Sequence, residues 1–214
     1  MQKTFNMMVI DHFGYLVSEY HFWVGKILDH DPDIMLEGFV EFQSPTTVVS
    51  VASEWYATEV RFGRIMDDRK FAISAELVHE FLSLTPEQRQ IVCSPDPRHK
   101  KEARQLIASQ QLQYEKREFA NGAGRRKHEL MQHACWIRQY ADPFLRGDFS
   151  LWLAIHEYKL ARMIGEVRQS WKREISRRLV GLSEGRKAVY VREHMFQSDV
   201  DYLARLKVER RNKG

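Results

Sequence analysis

The sequence predicts an α+β protein: an N-terminal helix plus a small antiparallel β-meander, followed by a C-terminal antiparallel helical bundle. Three observations predict it. Apolar residues recur at helical spacing at the start, alternate through the next segments, and return to helical spacing after residue 97. Clusters of turn-forming residues separate the segments. The charge changes sign where the pattern changes. Residues 1–96 hold 7 Lys+Arg against 15 Asp+Glu, a net of −8, whereas residues 97–214 hold 26 against 14, a net of +12. Such asymmetry suggests regions with different surroundings. We divide the sequence accordingly into an acidic α+β region, 1–96, and a basic helical region, 97–214.

The elements follow in order. In "FNMMVIDHFGYLVSEY", Phe5, Met8, Val9, Phe13, Leu16 and Tyr20 fall on one helix face, with Gly14 as the weak point. "HFWVGKIL" is expected as a strand, closed by the turn-rich "DHDPD". Three alternating segments continue the meander, to three or four strands in all. The first has Phe39 and Glu41 opposite Val40 and Phe42; the second has Val49 and Val51 opposite Val48 and Ser50. The third has Tyr56, Thr58, Val60 and Phe62 opposite Glu59 and Arg61. A helix follows, with Ser74 as its N-cap and Leu77, Val78 and Phe81 inward. In the next, Thr85 caps, Pro86 takes the first helical position, and "SPDP" stops it.

Beyond that joint the chain reads as four amphipathic helices. "RHKKEARQLIASQQLQYEKREF" is the first, ended by "ANGAG". The second carries the stripe Leu130, Ala134, Ile137, Ala141 and Phe144. The third runs from about Ser150 to Leu182, with Leu160, Ile164, Val167, Trp171, Ile175, Leu179 and Leu182 as its stripe. Gly147 ends the helix before it, and Asp148 or Ser150 is expected as its N-cap. The last carries Phe196, Val200, Leu203 and Leu206. Short turns between such helices argue for an antiparallel bundle.

Composition excludes some classes. At 43% hydrophobic and 12% aromatic residues the chain is not globally disordered. No apolar run approaches the length of about 18 residues that a membrane helix needs, so no membrane partner is expected. The start, "MQKTFNMMVIDHFGY", is broken by Asp11 and followed by no small-residue cleavage site, so no signal peptide is read there. Cys93 and Cys135 are the only cysteines; without a CxxC spacing they suggest reduced thiols in a cytoplasmic protein.

The motifs give little chemistry. Glu157-Tyr158-Lys159, with Asp148 upstream, imitates the acid…Glu-x-Lys set of metal-dependent nucleases. That set needs a strand, where alternate residues point the same way; here a helical pattern makes Glu157 and Lys159 diverge. A metal-dependent nuclease is therefore the third reading. His30-Asp31-Pro32-Asp33 reads as an acidic turn without calcium-loop spacing. Glu129 and His133 are one helical turn apart and suit an intrahelical contact. There is no P-loop, GxGxxG or GxSxG. No catalytic residue, cofactor-binding residue or metal ligand is assigned, and no cofactor is expected.

The basic clusters remain. For nucleic acid the candidates are Arg168, Lys172, Arg173 and Arg177, then Lys100, Lys101, Arg125 and Arg126. They would contact phosphates without reading bases. Acids are interleaved through most of these clusters, as on ordinary solvated helix faces.

The layout of "FGYLVSEYHF", of "TTVVSVASEWYATEVRFGRI" into "FAISAELVHEFL", and of "IRQYADPFLRGDFS" loosely resembles small bacterial proteins similar to immunity proteins of polymorphic toxin systems. The resemblance carries no catalytic motif. It implies a cytoplasmic binding protein in a bacterial or phage-related conflict setting. The basic tail after residue 160 departs from it. The expectation is thus a non-enzymatic, protein-binding module, with sequence-nonspecific nucleic-acid binding through the basic half as the alternative.

Overall fold

A computed structural model describes residues 4–29, 36–54, 57–94, 96–110, 122–170 and 181–212. It combines helices with one antiparallel sheet, so the α+β class holds. The chain forms two compact units, each made of two segments: residues 1–78 with 112–149, and residues 79–111 with 150–214. Neither coincides with the charge halves 1–96 and 97–214. The helices after residue 97 are correspondingly shared between the units.

The first unit opens with α1 (Phe5–Phe13) and α2 (Tyr15–Tyr20). One helix was expected over this stretch. It is instead interrupted at Gly14, where a Cβ would lie 3.0 Å from the Ile10 carbonyl oxygen. Thr4 caps α1 by accepting from the Met7 N–H. The sheet holds β1 (Trp23–Leu28), β2 (Leu36–Gln43), β3 (Thr47–Glu54), β4 (Ala57–Arg64) and the two-residue β5 (Ile73–Ser74), in sequence order and antiparallel throughout. β5, too short to show a period, goes beyond the three or four strands expected.

Alternation places Val40, Phe42, Val49, Val51, Val60 and Phe62 on one face, all fully buried. Helix α1 packs on β2, and α6 (Gly122–Tyr140) packs on both α1 and β4. Gly38 allows the first contact: a Cβ there would lie 2.7 Å from Phe5 and 2.5 Å from the Asn6 amide oxygen. The stripe Leu130, Ala134, Ile137, Ala141 and Phe144 is buried as read, yet its helix is not continuous. It breaks at Ala141, and α7 (Asp142–Leu145) restarts with Pro143 in its first turn. The Phe144 ring lies tilted against those of Phe62 and Phe149, and its carbonyl accepts from the Thr47 hydroxyl at 2.8 Å. Gly147 then takes φ +80°, which ends this segment as expected.

Helix α3 (Ala75–Ser83) contributes to both units, and Ser74 caps it through the Leu77 N–H. In the second unit, α4 (Pro86–Cys93) has the expected Thr85 cap, completed by Gln88 as a capping box. It packs against α5 (Lys100–Gln110) and α8 (Trp152–Ser170). Gly165 of α8 admits the end of α4, since a Cβ there would stand 3.0 Å from the Cys93 carbonyl oxygen. Leu151, rather than Asp148 or Ser150, directly precedes α8 and accepts from the Ile155 N–H. Of the rest of the long third stripe, Trp171, Ile175 and Leu179 and the Val167 side chain lie outside the described residues, and Leu182, expected as its end, is not helical.

The expected last helix is α9 (Glu184–Tyr190), a π-helical turn over Val191–Met195, and α10 (Gln197–Arg211). Tyr202, Leu203 and Leu206 are its buried face, and α10 packs on α8. There the Trp152 indole N–H donates to the Tyr202 hydroxyl at 2.6 Å, while His156 meets both rings edge-on.

Candidate functional site

The residues proposed for nucleic acid divide. Lys100, Lys101 and Arg104 lie within the first turns of α5 and, with Gln105 and Ala108, line one shallow open depression. No ion pair with a described residue engages these three cations. These three cations share one basic face, with Arg104 as a member not named among the candidates. Its spacing of three from Lys101 and four from Lys100 was the available signal.

Arg125 and Arg126 are engaged differently. The Arg125 Nε binds Glu129 at 2.8 Å, and Glu129 also accepts from the Thr58 hydroxyl at 3.2 Å. Arg126 pairs with Glu37, which the Ser53 hydroxyl also approaches at 3.1 Å. Arg126 thus ties α6 to β2, while Arg125 pairs within α6 with the Glu129 that reaches Thr58 of β4. Arg168 lies in α8, but its side chain is outside the described set; Lys172, Arg173 and Arg177 are wholly outside it.

The nuclease-like triplet lies in the helix predicted for it. Glu157 pairs with Lys207 at 2.7 Å and Lys159 with Asp199 at 3.5 Å, so the two are fixed at separate points of α10. His30–Asp33 falls outside the described residues. Among the described residues, no group of three His, Cys, Asp or Glu side chains is placed to hold a metal ion, and no helix is long and apolar enough to cross a membrane.

A buried polar group joins α3 to α8. One Glu80 oxygen accepts from the Tyr158 hydroxyl and the other from Arg162 at 2.7 Å. Burial raises the Glu80 carboxyl above its ordinary value, against the pull of Tyr158 and Arg162. Burial likewise pushes the Cys93 thiol up to about 11, away from the reactive thiolate. Both Glu80 oxygens are committed, which suits a brace between helices.

The feature that the sequence reading missed as a site is β1. It is the first strand of the sheet, paired on one side with β2. All six of its residues are exposed. Trp23 is 48% exposed, Val24 40%, Ile27 45% and Leu28 39%. The strand is firmly placed at both ends. His21 takes a left-handed turn at φ 58° and the Phe22 N–H donates back to Leu16, which carries the chain from α2 into β1. At the other end, the Asn6 amide donates to the Leu28 carbonyl and to the Asp29 carboxylate, both at 2.9 Å. Met7, Ile10 and Val17 of the same unit are exposed as well.

An edge strand carries unpaired main-chain N–H and C=O groups along its free side. Natural edges are usually short or charged; β1 has six residues and one charge, Lys26. It therefore combines hydrogen-bonding capacity with apolar side chains on both faces, which is what strand addition by another chain uses. Comparison with protein families, with characterised proteins and with solved structures returned no match.

Proposed function

We propose that this chain is a non-enzymatic protein-binding module whose binding edge is β1. One observation carries the reading: a held, six-residue edge strand exposes Trp23, Val24, Ile27 and Leu28 with a single charge among them. Isolated exposed apolar residues need no explanation, but a row of them along unpaired backbone does. The bacterial or phage-related conflict setting belongs to the same proposal and rests on the layout of the sequence. So does a cytoplasmic location, supported by two free cysteines, Cys93 and Cys135.

The test is affinity purification of tagged chain from cells that also make untagged chain, with and without nuclease. Wild type should recover a protein in stoichiometric amount, unchanged by nuclease, and Ile27→Lys should lose it. Recovery that vanishes with nuclease, or that survives Ile27→Lys, contradicts the reading.

The second reading, nonspecific nucleic-acid binding, is favoured by the open face of Lys100, Lys101 and Arg104 on α5. Such a face contacts phosphates and should bind duplex DNA with a log–log salt slope of about −0.9 per phosphate neutralised. Lys101→Glu with Arg104→Glu should flatten that slope. Absence of binding to duplex DNA, single-stranded DNA and RNA at low salt would remove this reading.

A further inference from the structure

We infer that the strand accepted by β1 is β1 of a second copy, in one antiparallel register: Trp23 faces the partner's Leu28, Val24 faces the partner's Ile27, and Gly25 faces the partner's Lys26. The inference rests on the reading of β1 as a protein-binding edge and names what occupies it.

The register follows from the way β1 pairs with β2. Directly opposed residues of an antiparallel pair lie on one face of the sheet. Val24 opposes Phe42 and Ile27 opposes Val40, so both lie on the face that carries the core. Trp23, Lys26 and Leu28 oppose Gln43, Glu41 and Phe39 and lie on the other face. The pairing shifts between Val24 and Lys26, which leaves Gly25 as an extra residue.

That bulge makes the strand complementary to itself. In a regular strand Trp23 and Leu28, or Val24 and Ile27, would be on opposite faces, because side chains alternate. The extra residue brings each pair onto one face. A two-fold axis between the Gly25–Lys26 pair and its symmetry mate then joins like faces along the whole strand: Trp23 with Leu28 on one, Val24 with Ile27 on the other. Shifting the register by one residue sets Trp23 against Ile27, or Val24 against Leu28, and mixes the faces. The latter shift also sets Lys26 against the partner's Lys26, a like-charge pair that destabilises a sheet. Shifts of two residues leave part of the strand unpaired.

Lys26 and a bulge are devices that keep edges from pairing indiscriminately. In this register glycine stands directly opposite Lys26, and the partner's Lys26 is its diagonal neighbour across the axis. The bulge therefore selects one pairing by matching faces, and the isologous geometry closes as a dimer.

Sedimentation of the full chain over a concentration series tests this. Wild type should be a reversible dimer. Val24→Lys and Ile27→Glu should each raise the dissociation constant by about tenfold or more, since each sets a charge against an apolar partner. An equimolar mixture of these two variants should recover dimer, because the introduced lysine then faces the introduced glutamate. If either variant differs from wild type by circular dichroism, Trp23→Lys and Leu28→Glu form the equivalent pair on the other face and are read the same way. A wild type that stays monomeric overturns the inference, as do single variants that dimerise like wild type, or a mixture that does not recover. In the purification described above, β1-dependent recovery of a different protein would also overturn it while leaving the protein-binding reading in place. Loss of any β1-dependent recovery removes both.

Discussion

Glu80 and His133 show how much of this structure is decided by single buried groups. Tyr158→Phe leaves one Glu80 oxygen without its hydroxyl donor, and an unsatisfied buried acceptor costs about 1–3 kcal/mol. Chemical denaturation should show that loss, and an unchanged midpoint would contradict the brace. His133 is fully buried, and burial pulls its imidazole down to about 4, with Glu129 opposing the shift. Glu76 lies 3.8 Å from its Nε2. The unfolded chain takes up this proton near pH 6.5 and the folded one only near 4, so stability is full above about pH 6.5 and falls as pH drops towards 4. A gap of this size corresponds to about 3 kcal/mol. His133→Leu should remove most of that acid sensitivity in unfolding curves across this window; an equal slope in both proteins would refute the assignment. The sequence showed the one-turn spacing of Glu129 and His133. It did not show Glu80 beside Tyr158, which are brought together only when α3 meets α8.

At the scale of the element, what was legible depended on whether local spacing or tertiary position decides. The caps at Ser74 and Thr85, the alternation of β2 to β4 and the stripe of α6 are local, and all are found. The expected helices over Phe5–Tyr20 and through Ala141 are broken, since a stripe of apolar residues continues across a kink as readily as through a straight helix. β1 was legible as a strand but not as an edge. Apolar residues on both faces ordinarily mark a strand covered on both sides, and only the sheet order shows that β1 has one strand neighbour among the described residues. Gly147 was read correctly as a stop, and its conformation makes it testable. It has φ +80°, and a Cβ would fall 2.5 Å from the Thr46 hydroxyl. Gly147→Ala should therefore destabilise by at least about 1–2 kcal/mol. A thermal midpoint equal to that of wild type would contradict the packing of this turn against the β2–β3 turn at Thr46.

For the whole molecule, charge and packing divide the chain differently. The acidic and basic halves are blocks of sequence, while each compact unit is assembled from two separated segments. Charge sign is a property of surfaces and leaves core membership open, so the boundary suggested by composition carries no information about which helices share a core. The basic candidates separated in the same way: Arg125 and Arg126 serve internal acids, and Lys100 and Lys101 do not. The sequence offers no metal-ligand spacing, so a chelator should leave the thermal midpoint unchanged, and a fall of more than a few degrees would reveal a structural metal. The central claim is that β1 is the edge through which this chain meets protein. Amide hydrogen exchange measures it most directly, comparing purified chain at high and low concentration and in whatever assembly the tagged chain recovers. The account predicts slowed exchange over residues 22–29 on association, with α5 unchanged. Association that leaves residues 22–29 exchanging at the rate of the free chain would contradict it.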